Sequence, residues 1–471
     1  MRILLINPPF TALGGSGIQG GALMPLNLCY LASHTRQQIP EVLISVIDAE
    51  MEGLSLEETA ENAQMVSPDI IGITTTTPSF EAVIQLTHML RGQLPKVIVV
   101  LGGPHVSALP ERSLRETSAD YVVIGEGEQT FTELVRVLGC GGKEISAISG
   151  LAYFYKEQFI LTPQRELIKD LDSLPIPARD LIGNARYSPP PSKRVARGPN
   201  TLISTSRGCF HNCGFCGCRS IWRRRIRTRK PESVIAEIRE IIERYNIATI
   251  NFTDEYFTAK RERVHTICKM IIEHDLVIPW VCSSRAENLD EETLQLMKRA
   301  GCREISFGIE SGNNEILMRI DKKLNLQESE RVVNAARRAG ISTHASYIIG
   351  YPGETSQSAQ DTIDFAIKLN TDVAAFFIAS PLPGSRLYDE ALNKGYLIED
   401  IGWQHFSPLS NFDPAMQIGT LSTEKVKALH RKAYKRYYLR PWYVASRLFR
   451  IRHWYEVQNL FEGLRAFLKI E

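Results

Sequence analysis

Nowhere in the 471 residues does an uninterrupted apolar run approach the roughly 18 residues that a membrane-spanning helix needs. The start of the chain also lacks a charged segment followed by a hydrophobic one, the mark of a secretory leader. An excess of one charge is missing too. Lys plus Arg number 55 against 53 for Asp plus Glu, so the global balance points to neither nucleic acid nor membrane, and any basic surface must be local. These absences predict a cytoplasmic protein, and reducing conditions there argue against a disulfide framework for its nine Cys. A second Cys pair at the distance of a zinc ribbon or finger is absent as well.

What is present is a dense thiol loop, Arg207-Gly208-Cys209-Phe210-His211-Asn212-Cys213-Gly214-Phe215-Cys216, after the apolar run Thr201-Leu202-Ile203-Ser204. Three thiolates spaced Cys-x3-Cys-x2-Cys can hold three irons of a cubane cluster and leave the fourth iron open, whereas an electron-carrying cluster normally takes four Cys. Zinc is the rival metal, with His211 or Cys218 as a fourth ligand. The blandest alternative, a chance group of buried thiols, fits four Cys within ten positions poorly. For Cys29, Cys140, Cys268, Cys282 and Cys302, scattered singly among apolar neighbours, the core is the expected place.

A chain of this length exceeds one hydrophobic core, so two or three domains are expected. Up to about Gly141, short apolar strands alternate with amphipathic helices, the pattern of a parallel α/β sheet. Five strands are read: Arg2 to Ile6, Val42 to Asp48, Ile70 to Thr75, Val97 to Gly102 and Tyr121 to Gly125. Ligands bind beyond the carboxyl ends of such strands. Those ends carry a Gly-rich loop from Gly14 to Gly21, Asp48-Ala49-Glu50-Met51-Glu52-Gly53, the threonines 74 to 77 including Thr75 and Thr76, Gly102-Gly103-Pro104-His105, and Gly125-Glu126-Gly127-Glu128. Glycines at these ends let a large ligand approach the backbone, and the hydroxyls and carboxylates offer it hydrogen bonds. The Gly-x-Gly-x-x-Gly of a dinucleotide fold does not follow the first strand.

A connector with a hairpin (Ile148 to Tyr155, Gln158 to Leu161) and a proline-punctuated run at Pro175, Pro177, Pro189, Pro190 and Pro191 leads into a second alternating segment. Its strands are expected at Thr201 to Thr205, Thr249 to Thr253, Trp280 to Ser284, Glu304 to Ile309, Ser342 to Ile349 and Val373 to Ser380. Six units are too few to close an eight-unit barrel, so a partial barrel is the natural architecture. Its strand ends suit a zwitterionic ligand: Asp254 and Glu255 can pair with an ammonium group, Ser283 and Arg285 with a carboxylate, Glu310 with an amine or ribose hydroxyls, and Ile348 and Ile349 can pack a base. Glu255 reads equally well as a helix cap.

Taken together, the glycine-rich strand ends, the thiol loop and the second set of strand ends resemble the cobalamin-binding radical S-adenosylmethionine (radical SAM) enzymes, which include magnesium-protoporphyrin ester cyclase-like proteins and many carbon methylases. The resemblance covers both halves. It implies a Rossmann-like cobalamin-binding domain at 1–141, a linker with a hairpin at 142–200, a (β/α)6 radical SAM domain at 201–385 and a helical extension at 386–471. It implies three cofactors: a 4Fe-4S cluster on Cys209, Cys213 and Cys216, S-adenosylmethionine, and cobalamin. Phe215, Asp254, Ser283, Arg285, Glu310 and Ile349 would contact S-adenosylmethionine. Asp48, Glu50, Gly53, Thr75, Thr76, Gly102, Gly103, Gly125 and Glu126 would contact cobalamin. Members with a histidine below the cobalt carry Asp-x-His-x-x-Gly; Glu50 stands at the His position here, which implies cobalamin without a protein histidine on cobalt and leaves His105 a supporting role. Cys218 matches no ligand position.

The chemistry implied is radical: one electron into the cluster cleaves S-adenosylmethionine, hydrogen leaves an unreactive carbon, and cobalamin delivers a methyl group. A cobalamin-dependent methyltransferase acting on a small-molecule or lipid-like substrate is the leading expectation, fed by flavodoxin or ferredoxin. A radical cyclase or rearranging enzyme of the same family is the second, and a non-catalytic cobalamin- or zinc-binding module the third. The basic run Arg219, Arg223, Arg224, Arg225, Arg227, Arg229 and Lys230 invites a nucleic-acid reading, which the neutral balance disfavours; contacts to cofactor anions or to the other domain are expected instead. Between Arg431 and Tyr455, eight basic residues interleave with eight aromatics and no acid. That stretch can lie on a membrane surface, or pack on the barrel with its charged heads in water.

Overall fold

The computed structural model describes residues 1–9, 23–140, 144–189, 194–407 and 413–450. The Gly14 to Gly21 loop, Pro190 and Pro191, and the tail beyond 450 lie outside them.

Strands β1 (Arg2–Asn7), β2 (Leu43–Asp48), β3 (Ile70–Thr74), β4 (Ile98–Gly102) and β5 (Tyr121–Val123) are apolar nearly throughout, as strands covered on both faces must be. They pair in parallel. Helices Leu26–Gln38 and Gly127–Cys140 cover one face through Leu28, Ala32, Phe131, Leu134 and Val135, packed on Ile3 and Leu5. Helices Leu56–Val66 and Phe80–Gln93 cover the other through Ala60, Ala63, Phe80, Val83 and Leu86, packed on Leu4 and Ile6. The first of these starts on a capping box: Ser55 accepts from the Glu58 N–H and Glu58 accepts from the Ser55 N–H.

The expected hairpin forms, as β6 (Leu151–Tyr155) and β7 (Gln158–Leu161), and it extends this first sheet by pairing antiparallel with β5. The order is β2-β1-β3-β4-β5-β6-β7. Chain direction away from β1 reverses between β2 and β3, so the crevice lies over the carboxyl ends of β1 and β3.

The second sheet holds β8 (Asn200–Ile203), β9 (Thr249–Phe252), β10 (Trp280–Ser284), β11 (Cys302–Glu310), β12 (Ser342–Ile349) and β13 (Val373–Ile378), side by side in chain order and all parallel. Strand and helix alternate around it as an open barrel. In helix Pro231–Tyr245, Val234, Ile235, Ile238 and Ile241 fall on one buried stripe.

The edge strand β13 is covered by helix Thr423–Tyr438 and the start of helix Pro441–Arg450. Tyr438 donates to the Ala374 carbonyl (2.8 Å) and accepts from the Ala374 N–H (3.0 Å). Tyr434 does the same at Phe376 (3.2 and 3.3 Å), and Tyr443 donates to the Asp372 carbonyl at 2.8 Å. The aromatic stretch of the tail is therefore turned inward over this length, packing on the barrel. Leu439, Trp442 and Val444 stay exposed. Among the described residues no helix is long and apolar enough to cross a membrane.

Candidate functional site

Beyond β8 the chain forms a two-residue ribbon, Ser206–Arg207 with Arg227–Thr228, and the thiol loop hangs from its end. Gly208 has φ +93, and a Cβ there would sit 2.1 Å from the Arg225 carbonyl oxygen, so only glycine fits. Its N–H donates to Glu255 at 2.9 Å. Gly214 donates to the Ile320 carbonyl (2.6 Å) and accepts from the Leu387 N–H (2.8 Å). Arg386 donates to the Asn212 carbonyl at 2.8 Å. A Cβ on Gly214 would strike the Tyr351 hydroxyl at 2.2 Å. Hydrogen bonds from three separate elements thus fix the backbone of a loop that has almost no regular structure of its own.

Cys209, Cys213, Cys216 and Cys218 are free and half-buried. A hydrogen bond from the Cys218 side chain is the main cause that lowers the Cys216 thiol to about 7, while burial raises Cys209 and Cys213. Among the described residues no three His, Cys, Asp or Glu side chains come together to hold a single metal ion. A cubane takes each thiolate at a separate corner and needs no such convergence.

Around this loop stand several of the expected strand-end residues. Phe215 packs against the barrel core, with the Lys322 ammonium 5.9 Å from its ring centre. Lys322 pairs with Glu310 at 2.8 Å, at a left-handed φ of +70 for Glu310. Arg285 is buried, pairs with Glu287 and donates to the Lys322 carbonyl at 2.5 Å; Glu287 lies 3.8 Å from His211 of the loop. Ser283 is half-buried, and Ile349 is fully buried. The structure therefore brings Phe215, Arg285 and Glu310 together beside the thiols, joined by Lys322 and Glu287, which no motif had singled out.

Asp254 behaves differently from expectation. Its carboxylate accepts from the Thr205 N–H (3.1 Å), the Thr205 hydroxyl (2.6 Å) and the Ser206 hydroxyl, and the residue is 1% exposed. Oδ1 takes both hydroxyls and Oδ2 the N–H, so the carboxylate braces the turn that enters the ribbon. Burial raises its carboxyl above the usual range.

At the ends of the first sheet, Gly53, Gly102 and Gly125 face open space where a Cβ would meet nothing within 4 Å. Gly103, at φ +117, lies so close to Thr75 that a Cβ would be 2.5 Å from its carbonyl oxygen. Thr75 is fully buried, and Thr76 bonds to Ser79. Glu50 sits in the short helix Ala49–Glu52, whose amino end is capped by Asp48. Asp48 also accepts from Asn7 and Tyr187, both at 2.7 Å, and burial pushes its acidity down. His105 is fully buried, stacked on Phe80 at 4.0 Å and edge-on to Trp403 at 4.6 Å; burial lowers it to about 3, so it is neutral.

The Glu126 carboxylate accepts from Arg207 (2.8 Å), Arg227 (2.7 Å) and the Ile168 N–H (2.9 Å), so three protein donors already meet it. Glu128 binds the other arm of Arg207 at 2.6 Å, and Tyr30 lies under that guanidinium at 5.1 Å. Burial alone would raise the Glu128 carboxyl; Arg207 more than offsets this and holds it below the usual range. The loop after β5 thereby grips the residue that opens the thiol loop. A neighbouring network has Glu237 between Arg179 (2.6 Å) and Arg229, all three buried. Of the arginine run, Arg223 and Arg227 reach the linker and the first domain, whereas Arg219 and Arg229 bond within the second; Glu126 and Glu128 were visible as an acidic pair at a strand end without a sign of what they faced.

Residues 203–366 match the family model of the radical SAM superfamily, and residues 19–135 that of the B12 binding domain. The chain is 36% identical over 466 residues to an uncharacterized methyltransferase of Pyrococcus horikoshii, covering 98% of each. It is 28% identical over 439 residues to the anaerobic magnesium-protoporphyrin IX monomethyl ester cyclase of Rubrivivax gelatinosus, covering 92% of this chain and 77% of that one. Among solved structures it resembles the cobalamin-dependent S-adenosylmethionine radical enzyme OxsB (TM-score 0.75, 16% identity, 99% of this chain and 72% of that one). It also resembles the methyltransferase TsrM of Kitasatospora setae (TM-score 0.67, 19% identity, 83% and 78%). The chain belongs to the cobalamin-binding radical SAM family, and its cofactors are a 4Fe-4S cluster, S-adenosylmethionine and cobalamin.

Proposed function

We propose that this enzyme methylates an unactivated carbon of a small-molecule or lipid-like substrate. The observation that supports the reading is the Glu126–Arg207–Glu128 grip, which joins the loop after β5 to the ribbon that opens the thiol loop. Cys209, Cys213 and Cys216 would hold the cluster. Phe215 and Ile349 supply apolar surface for an adenine, and the Arg285 and Glu310 pair lies where the amino-acid end of S-adenosylmethionine would be oriented. Gly53, Gly102, Gly103 and Gly125, with Thr76 and Glu50, line the shelf for cobalamin; no histidine stands at the Glu50 position to reach the metal. Bound there, the cofactors supply a carbon radical and a transferable methyl group. The protein's part is to fix their separation and keep water out. The one electron needed comes from a flavodoxin or ferredoxin.

Oxidative cyclisation is a second reading, favoured by the 28% identity to the Rubrivivax cyclase. Anaerobic reconstitution with iron, sulfide and cobalamin, followed by reductant and S-adenosylmethionine, separates the two. Methylation yields both 5′-deoxyadenosine and S-adenosylhomocysteine, whereas deoxyadenosine without S-adenosylhomocysteine selects cyclisation. Cys213→Ala should abolish cluster absorption and cleavage; retention of both would overturn the radical reading altogether.

A further inference from the structure

The arginine run behind the thiol loop is not wholly absorbed by the protein. Arg219 bonds to the Gly384 carbonyl and pairs with Asp389, Arg223 bonds to the Arg165 carbonyl, and Arg227 and Arg229 are held in the networks above. Arg224 and Arg225 are exposed, and neither has a partner among the described residues. Their place is particular. The ribbon pairs Arg207 with Arg227 and Ser206 with Thr228, and just beyond it the Arg225 backbone meets Gly208, the residue before Cys209. The contact is close, since the Arg225 carbonyl occupies the space a Gly208 side chain would need. Consecutive left-handed residues, Arg223 at φ +50 and Arg224 at φ +57, bend the chain at this point. Left-handed backbone costs a non-glycine residue free energy, and two such residues in a row mark a bend that the local fold enforces.

Two uncompensated cations on the surface directly behind a cluster ligand make a local field with one evident use. An electron must enter the cluster from outside, and a carrier with an acidic face is steered and held by such a patch. We propose that Arg224 and Arg225 form the docking surface for an acidic one-electron carrier protein, the oxidised product of which leaves after giving one electron to the cluster. No bond forms or breaks at the interface: the carrier is oxidised by one electron and the cluster reduced by one. The proposal rests on the radical SAM reading above and adds the place of electron entry.

The test compares the reconstituted native enzyme with the Arg224→Glu/Arg225→Glu variant, measuring 5′-deoxyadenosine under two reductants. With dithionite, which needs no docking surface, the two should agree within about twofold. With reduced flavodoxin at low salt the variant should fall about tenfold or more, and only the native rate should drop steeply as salt rises toward roughly 0.5 M, where screening shortens to a few ångströms. Titration of oxidised flavodoxin into the full chain without cofactors should show the matching loss of affinity. An unchanged flavodoxin-driven rate, or a parallel loss with dithionite, would overturn the docking assignment. A native enzyme silent with dithionite would instead overturn the radical reading, and the titration would still judge the surface.

Discussion

Replacing Arg207 with Met probes the joint between the two cofactor faces. The side chain is 9% exposed and bonds Glu126 at 2.8 Å and Glu128 at 2.6 Å. In the variant Glu126 keeps Arg227 at 2.7 Å, but Glu128 loses Arg207, the cation that holds its carboxyl down, and retains a backbone hydrogen bond and the weaker influence of His34. One buried carboxylate is left uncompensated, which costs about 3–5 kcal/mol. For a unit of this size that is a fall in Tm of roughly 6–20 °C by scanning fluorimetry or calorimetry. The pH dependence identifies the cause. In the native protein the depressed Glu128 carboxyl contributes stability above the ordinary carboxylate value, lost as pH falls through the lowered one. In the variant that carboxyl is no longer held down, so the gap between native and variant should narrow toward pH 5. Adding Glu128→Gln removes the stranded charge and should recover most of the loss. A shift under about 2 °C, or a double variant no better than the single one, would refute the reasoning.

Tyr438→Phe leaves the Ala374 N–H and carbonyl unpaired, at a cost of about 1–3 kcal/mol for each buried group, read as a lower Tm. Gly103→Ala forces a side chain into a left-handed position 2.5 Å from the Thr75 carbonyl; a Tm loss of several degrees with less bound cobalamin by absorbance is expected, and an unchanged Tm would contradict it. Glu354 is fully buried, and burial raises its carboxyl from 4.5 to about 7, so the stability it contributes below its ordinary value is lost as pH climbs through 7. Glu354→Gln should flatten that decline, which amounts to of the order of 3 kcal/mol, in Tm profiles from pH 5 to 8.5.

Strand positions were legible because both sheets are buried on two faces and leave continuous apolar runs: β12 matches its expected bounds, and β4 and β9 differ from theirs by one residue. The thiol loop was legible because its spacing is local. What the sequence could not show was the partner of each charged residue. Asp254 sits at a strand end like a ligand group, yet it is claimed by Thr205 and Ser206, 49 and 48 positions earlier. Glu126 reads as part of a ligand shelf, yet its acceptors are filled by Arg207, 81 positions on, and by Arg227. Gly53, Gly103 and Gly125 hold left-handed backbone, a local property, whereas nothing crowds a Cβ at Gly102. The hairpin was visible as a turn between two short strands, but nothing local indicated that it would lengthen the first sheet.

Helix Thr423–Tyr438 also determines how the second sheet ends. An exposed edge offers a row of donors and acceptors on which another strand can grow. On β13 that row is occupied by tyrosine hydroxyls, with His430 adding a bond to the Phe376 carbonyl at 2.8 Å. Phenols cannot propagate a ladder as a backbone does, so the sheet is terminated chemically as well as covered. A chain cut after Ser422 would uncover β13 as a template, and its expected fate is strand-to-strand self-association before any loss of the thiol loop.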